Sequence, residues 1–277
     1  MKKVLVLGSS GQIGVYLCEY LKKSGCDVLE FDLVNGSKQD LRSYSNQLLV
    51  ERIRSCDFVF FLAFDVGGSH YLEKYQDTFQ FISNNMKIMT NTFEYLALFN
   101  KPFVFASSQM SNMSQSTYGL LKSIGEKNSI ALGGVIVKFW NVYGVERNTE
   151  KFHVISDFID MARRGGPIRM RTTGDETRDF LYADDCSRGL IAIMNNYSDV
   201  PENREVHLAN HSWTSIREIA QIIGDHFAVE VIPGVKNDSI QVGIKNSPKR
   251  EFEQFWRPEI SIKEGIAKII QDLESSR

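Results

Sequence analysis

Gly8-Ser9-Ser10-Gly11-Gln12-Ile13-Gly14 joins an apolar run, residues 4–7, to an amphipathic segment, residues 12–24. The run reads as a buried strand. In the segment, Ile13, Leu17 and Leu21 recur at helical spacing, and Gly25 stops the pattern. Glycines spaced G-x-x-G-x-x-G between strand and helix allow a tight turn, backbone approach to a pyrophosphate, and close packing of helix on strand. The free N–H groups and dipole of the helix N-terminus then favour negative phosphates. The spacing differs slightly from the common dinucleotide fingerprint, and a plain turn would also use these glycines. Its place between strand and helix favours the phosphate reading. Asp32 ends a second strand, residues 28–31, eighteen residues after Gly14. A carboxylate there can accept hydrogen bonds from both adenosine ribose hydroxyls and would repel a 2′-phosphate, which favours NAD over NADP. Asp40 and Leu41 would then meet the adenine ring.

The same rhythm continues through the first half. Apolar strands at 58–63, 103–106 and 135–139 alternate with helical stretches at about 75–99 and 116–132. Near-continuous apolar strands between helices imply a doubly wound parallel sheet of the α/β class, covered on both faces. After Gly144 the pattern changes. A helix at 152–164 ends at Gly165-Gly166-Pro167, and short strands at 180–182 and 206–208 flank a helix at 184–196. Ser215 and Glu218 have capping-box spacing for a helix running to about Phe227, and a last helix spans about 262–274. No linker separates the halves. The expected division is 1–144 plus about 177–210 for the dinucleotide, and about 145–176 with 211–277 for a smaller, interleaved domain.

Composition narrows the function by exclusion. Thirty-two Lys plus Arg against thirty-four Asp plus Glu leave a net charge of −2, which argues against binding nucleic acid or anionic membrane by bulk electrostatics. The longest apolar run, 58–64, falls far short of the ~20 residues a bilayer span requires. The N-terminal apolar stretch is too short for a signal peptide. Cys18, Cys26, Cys56 and Cys186 suit neither a disulfide scaffold nor a metal site, so a reduced, cytoplasmic protein without metal is expected.

Tyr118 and Lys122 stand four apart at the start of a helix and so share a face. An ammonium beside a phenol stabilises the phenolate, and such a tyrosine can exchange a proton near neutrality. Four-residue spacing arises often by chance on solvated helices. Ser108, at the carboxyl end of the strand before, changes the balance, because ligands of open parallel sheets bind outside the carboxyl ends of the strands. Glycine turn, serine and Tyr/Lys helix would converge on one crevice. There a hydroxyl beside the tyrosine could hold a substrate oxygen while hydride moves to or from nicotinamide.

Taken in order, the motifs resemble the extended short-chain dehydrogenase/reductase family, the NAD-dependent nucleotide-sugar epimerases and dehydratases. The matching pieces are Gly8 to Gly14, Asp32, Asp40-Leu41, Phe61-Leu62-Ala63, Asn84-Asn85, Phe105-Ala106-Ser107-Ser108, Tyr118 with Lys122, and Lys138-Phe139-Trp140-Asn141-Val142-Tyr143-Gly144. The stretch from Gly174 to Asp185 resembles a second family signature, so the likeness spans nearly the whole chain. It implies a Rossmann-type sheet with a smaller C-terminal α/β substrate domain. Gly8, Gly11, Gln12, Ile13 and Gly14 would hold the pyrophosphate and Asp32 the ribose. Asp40 and Leu41 would contact adenine, and Leu62 and Ala63, on the family's fourth strand, would line the cofactor with Ser107. Tyr118 would be the acid/base, Lys122 its electrostatic partner and a nicotinamide-ribose ligand, and Ser108 the positioner of the reacting hydroxyl. Asn141 would contact the substrate diphosphate and Arg178 would pair with a phosphate or nucleotide group, although Asn141 could merely cap a turn and Arg178 could pair with Asp179 or Asp184. His153, and similarly His70, fall where relatives face substrate. A homodimer through a four-helix bundle is implied as well.

Departures from the family bear on the reaction. Ser108 and Tyr118 are only ten residues apart, where most relatives carry a longer acidic, Pro-rich loop that walls the sugar pocket; a more open or differently closed pocket is expected. A 4,6-dehydratase needs an acid and a base after the serine, and Gln109 and Met110 stand there instead. No cysteine occupies the place used by C3/C5 epimerases, and no group for a sugar carboxylate is identifiable. Redox chemistry at one carbon remains: C4 epimerisation, or C4 oxidation or ketoreduction, in surface-polysaccharide sugar synthesis. Gly67-Gly68 is similar to a run in GDP-mannose-type and GDP-fucose-type enzymes, which leans toward a GDP-linked mannose or heptose-like sugar. The rival reading is a non-catalytic NAD-binding regulator.

Overall fold

The computed structural model describes residues 1–237 and 247–275. The first half runs β1 (Lys3–Leu7), α1 (Gln12–Lys23), β2 (Asp27–Phe31), α2 (Gln47–Ser55), β3 (Phe58–Phe61), α3 (Ser69–Tyr75), α4 (Phe79–Phe99), β4 (Phe103–Ser108), α5 (Thr117–Ala131) and β5 (Val135–Phe139). The second half runs β6 (Val142–Tyr143), α6 (Val154–Arg163), β7 (Ile168–Arg169), β8 (Thr177–Asp179), β9 (Leu181–Tyr182), α7 (Ala183–Asn195), β10 (Glu205–Leu208), β11 (Trp213–Ser215), α8 (Ile216–Phe227), β12 (Val231–Ile232) and α9 (Ile262–Ser275).

Six strands form one parallel sheet in the order β2-β1-β3-β4-β5-β10. Side chains alternate across it, as the two-residue strand period requires. Leu5, Leu7, Val59 and Phe61 face one core with Leu49, Phe93 and Leu121, while Val4, Val6, Phe58 and Phe60 face another with Leu17 and Leu190. Both faces are therefore dry, which is why the strands read as continuous apolar runs. The strand order reverses between β1 and β3, and the crevice at such a switch point is where ligands bind in sheets of this kind.

The structure corrects several element readings. The helix expected over 75–99 is α4, which starts at Phe79 because the Thr78 hydroxyl accepts a hydrogen bond from Phe81 N, and the short helix α3 precedes it unread. The strand read at 58–63 ends at Phe61, and that read at 180–182 begins at Leu181. Helix α2, not read from the sequence, is only nine residues long and buries Leu49 and Ile53; Asn46 caps it, accepting from Leu49 N at 3.1 Å. The strand ranked fourth by resemblance is third here. Residues 33–39 form two short 3-10 turns instead of a strand, so β2 is a sheet edge.

Beyond the sheet, β6 pairs with β9, β8 with β11, and β7 with β12. A third core gathers Tyr143, Ile155, Phe158, Phe180, Ile219 and Ile269 from α6, α8, α9 and the small strands. The ribbon of β6 and β9 stands between two cores: Val142 and Leu181 face the second, Tyr143 and Tyr182 the third.

Candidate functional site

The turn after β1 is built around missing side chains. Gly8 has φ of 88°, and a Cβ there would lie 2.8 Å from Ala63 N. A Cβ on Gly14 would lie 2.1 Å from Gly8 O, so α1 begins pressed against the turn. Gly11 is the N-cap of α1 and donates its N–H to Gly8 O at 3.2 Å, while Ile13 packs on the second core. Leu62 N donates to Leu7 O at 2.9 Å, which sets Leu62 and Ala63 beside the turn. The Ser9 hydroxyl is buried there with no hydrogen-bond partner among the described residues. A close backbone turn, an open helix N-terminus and an unsatisfied hydroxyl fit a pyrophosphate.

Asp32 guards the mouth of this cradle. Its carboxylate accepts from Ser10 N and Val34 N, both at 3.0 Å, so it fixes the turn. Asp40 is engaged elsewhere: Arg42 grips it through Nε and a terminal nitrogen and holds its carboxyl below the usual range. Leu41 is buried in the first core and its carbonyl accepts from Asn91 at 2.8 Å. The structure therefore commits Asp40 and the Leu41 side chain to internal contacts.

Ser108, Tyr118 and Lys122 come together where β4 ends and α5 begins. Ser116 caps α5 by accepting from Gly119 N at 3.1 Å, and this sets Tyr118 and Lys122 on the face over the sheet. Burial pushes the Tyr118 phenol up to about 12, opposed by its hydrogen bond with Ser108. Burial pulls the Lys122 ammonium down to about 7, opposed by Glu126 one helical turn on. Lys122 Nζ donates to Ala106 O at 2.7 Å. The Phe64 ring lies 3.7 Å from that nitrogen and edge-on to Tyr118 at 5.7 Å. Sequence reasoning missed Phe64; its place next to Leu62-Ala63 was the available signal. Ser107 is turned away from the trio, donating to the Glu126 carboxylate.

Alongside lies an open cleft. Its wall includes Gln12, Asn141, His153 and Arg178, which the sequence reading had placed on cofactor or substrate. Asn141 adopts φ of 41° and its Nδ2 donates to Asp179 O at 3.4 Å. Arg178 donates to Thr177 O at 2.7 Å. Asp179 turns inward, fully buried, to accept from Asn210 N, and burial raises its carboxyl to about 6 against the backbone N–H groups that it accepts from.

Two expectations fare differently. Gly67 and Gly68 are buried, with Gly68 N donating to Lys151 O at 3.0 Å, and they do not line the cleft. Behind them Asp65 accepts from Lys151, Tyr71 and Asn84 at 2.7 to 2.9 Å. Burial alone would raise its carboxyl, yet these three donors hold it below the usual range. The short segment after Ser108 coils into a 3-10 turn that buries Gln109, Met110 and Ser111, and Gln76 anchors its far end through Ser116 and Tyr118 N. The trio is thus closed in, beside the cleft and not part of its wall.

Comparison with known proteins accords with this geometry. UDP-glucuronic acid decarboxylase 1 of Arabidopsis thaliana is 24% identical over 311 residues, covering 99% of this chain and 70% of the relative. CDP-abequose synthase of Salmonella typhimurium is 24% identical over 305 residues, covering 98% of each. A solved GDP-6-OMe-4-keto-L-xylo-heptose reductase from C. jejuni superposes with a TM-score of 0.84 at 18% identity, covering 100% of this chain and 98% of that one. The model of the NAD dependent epimerase/dehydratase family matches residues 4–209, a span that holds the glycine turn, the Ser108–Tyr118–Lys122 group, Asn141 and Arg178; the chain belongs to that NAD-dependent family.

Proposed function

We propose that the protein carries out hydride-transfer chemistry at C4 of a nucleotide-diphosphate sugar, as a 4-epimerase or a C4 dehydrogenase or ketoreductase. The observation that carries this reading is the closed group of Ser108, Tyr118 and Lys122 at the end of β4, with Gln109 and Met110 buried where a dehydratase would need an acid and a base. NAD, when bound in the glycine cradle, supplies the hydride acceptor or donor. The chain supplies the rest. Ser108 bonds the Tyr118 hydroxyl and would share that bond with the substrate oxygen at C4. A phenol held up at about 12 by burial is a proton donor at neutral pH, and a charged Lys122 is what brings it toward the phenolate. Phe64 and the coiled 109–112 turn exclude water from the exchange.

Residues 145–176 and 211–277 are proposed to hold the nucleotide sugar, because they provide most of the cleft wall. Gly67 and Gly68 do not line it; the GDP-heptose reductase of the same fold keeps a GDP-linked sugar among the candidates, and the nucleotide is decided by experiment. The purified protein is expected to act on one member of a panel of UDP-, CDP-, GDP- and dTDP-sugars, read by mass spectrometry with NAD supplied. Unchanged mass with a changed sugar identifies an epimerase, and a change of two mass units identifies oxidation or reduction. A loss of eighteen overturns the reading in favour of dehydration, and inertness toward all of them favours a regulator.

We further propose a homodimer through α4 and α5. Met86, Leu120, Ile124 and Ile130 are 38 to 50% exposed on these helices, and an open groove runs between them. Light scattering is expected to give twice the monomer mass, and Ile124→Glu to return the monomer. A monomeric wild type would remove this proposal. Cytoplasmic residence is proposed because the four thiols are all free. No helix of the described residues is long and apolar enough to cross a membrane.

A further inference from the structure

The loop after β6 contains a pair that the proposed chemistry does not use. Glu146 is clamped around His153: Oε1 meets the ring Nδ1 at 2.7 Å, and Oε2 accepts from His153 N at 2.8 Å. Ser156 adds a third hydrogen bond. The Glu146 side chain is 9% exposed, whereas the His153 ring is 40% exposed and lines the cleft. Nδ1 is committed to the carboxylate, so Nε2 is the ring nitrogen left for a ligand.

We propose that Glu146 and His153 form a proton-operated latch for the substrate's diphosphate: Glu146 is a positioning residue, and protonated His153 donates from Nε2 to the phosphate oxygens. This rests on the nucleotide-sugar reading above and deepens it. The electrostatics follow from the count of charges. With His153 neutral the pair carries −1 and repels an anion at the cleft; with His153 protonated the pair is neutral and offers a charge-assisted donor. Burial opposes charge on the imidazole, but Glu146 outweighs it and raises His153 above its ordinary value. Burial likewise opposes charge on Glu146, and His153 and Ser156 hold it below the ordinary range. Affinity for the diphosphate is therefore full below the His153 transition and lost as pH rises through it.

Other charged groups face the same cleft. His70 and Glu73 come from α3, Asp157 from α6, and Arg169, Arg171, Glu176, Arg178 and Lys236 from the opposite segments. Arg171 is paired with Glu73, and Asp157 is raised by burial and by Asp160. His70 is the second imidazole present, so it is the necessary control.

The test uses UDP-glucose and GDP-mannose, whose diphosphates are diesters with no ionisation of their own near neutrality. Binding to the whole chain is measured by calorimetry from about pH 8 to about pH 5.5. The dissociation constant is expected to fall about 5- to 10-fold on acidification. His153→Gln should flatten the profile, Glu146→Gln should move the step to lower pH, and His70→Gln should leave it in place. A step that survives in His153→Gln, or a flat wild-type profile, overturns the latch. Failure of every nucleotide sugar to bind overturns the functional reading on which it rests. Proton NMR of the imidazoles, with His153 assigned by its variant, decides the coupling without any ligand: His153 should titrate higher in the wild type than in Glu146→Gln, and equal values overturn the proposal.

Discussion

Tyr118→Phe is expected to cut turnover by a factor of ~10²–10⁴ while the protein still binds NAD, the scale set by loss of a positioned general acid or base. The ring is buried, and it packs edge-on against Phe64, a contact that Phe retains. What goes is the hydroxyl, its bond with Ser108, and the proton it would exchange with the substrate oxygen. One hydroxyl hydrogen bond contributes about 1 kcal/mol to stability, so the fold should survive. Rates measured on the substrate that the panel identifies, together with NAD binding by fluorescence, separate the outcomes. Full activity would remove Tyr118 from the chemistry; lost cofactor binding would mean that the phenol holds the cradle together.

Gly14→Ala acts on the other half of the site. The added methyl carbon would sit 2.1 Å from Gly8 O and 2.8 Å from Ser9 Cα, both backbone atoms that cannot swing aside. Helix α1 must then lift from the turn by about 1 Å, and misplacement of that size costs ~10²-fold where positioning matters. NAD affinity should fall by about that factor, with the circular dichroism spectrum unchanged. Gly25→Ala is the control, since nothing lies within 4 Å of a Cβ there, although its φ of 78° makes it locally strained. Equal loss in both variants would assign the effect to general destabilisation. Unchanged affinity in Gly14→Ala would mean that the pyrophosphate does not sit on this turn.

Legibility in the sequence followed burial. Strands β1, β3, β4 and β5 are covered on both faces, so their apolar runs stand out, and the glycine turn is visible because its geometry excludes side chains. Helix α2 escaped because it is only nine residues long, below the length that separates a helix from a short apolar run. The break between α3 and α4 depends on one threonine hydroxyl. Within the site, residue types pointed to the trio, but nothing local could show Arg42 on Asp40 or Lys151 reaching Asp65 across 86 positions. Those are long-range or conformational facts. Gly67 and Gly68 are a related case: a glycine pair signals close approach without saying to what, and here it meets the Tyr71 side chain and the backbone of 151–153.

The ribbon of β6 and β9 has a consequence for how the molecule comes apart. Its two strands alternate residue by residue between two cores, so each serves as a party wall. Moving β6 by a single position would present Val142 where Tyr143 belongs, moving β9 would do the same with Leu181 and Tyr182, and either shift would spoil both sides at once. Neither core can loosen while the other stays shut, and melting should follow one cooperative transition instead of two. A protease would find no intermediate with the cleft half dismantled, and a cut between the sheet and the cleft-lining helices would leave two fragments that each lack a wall.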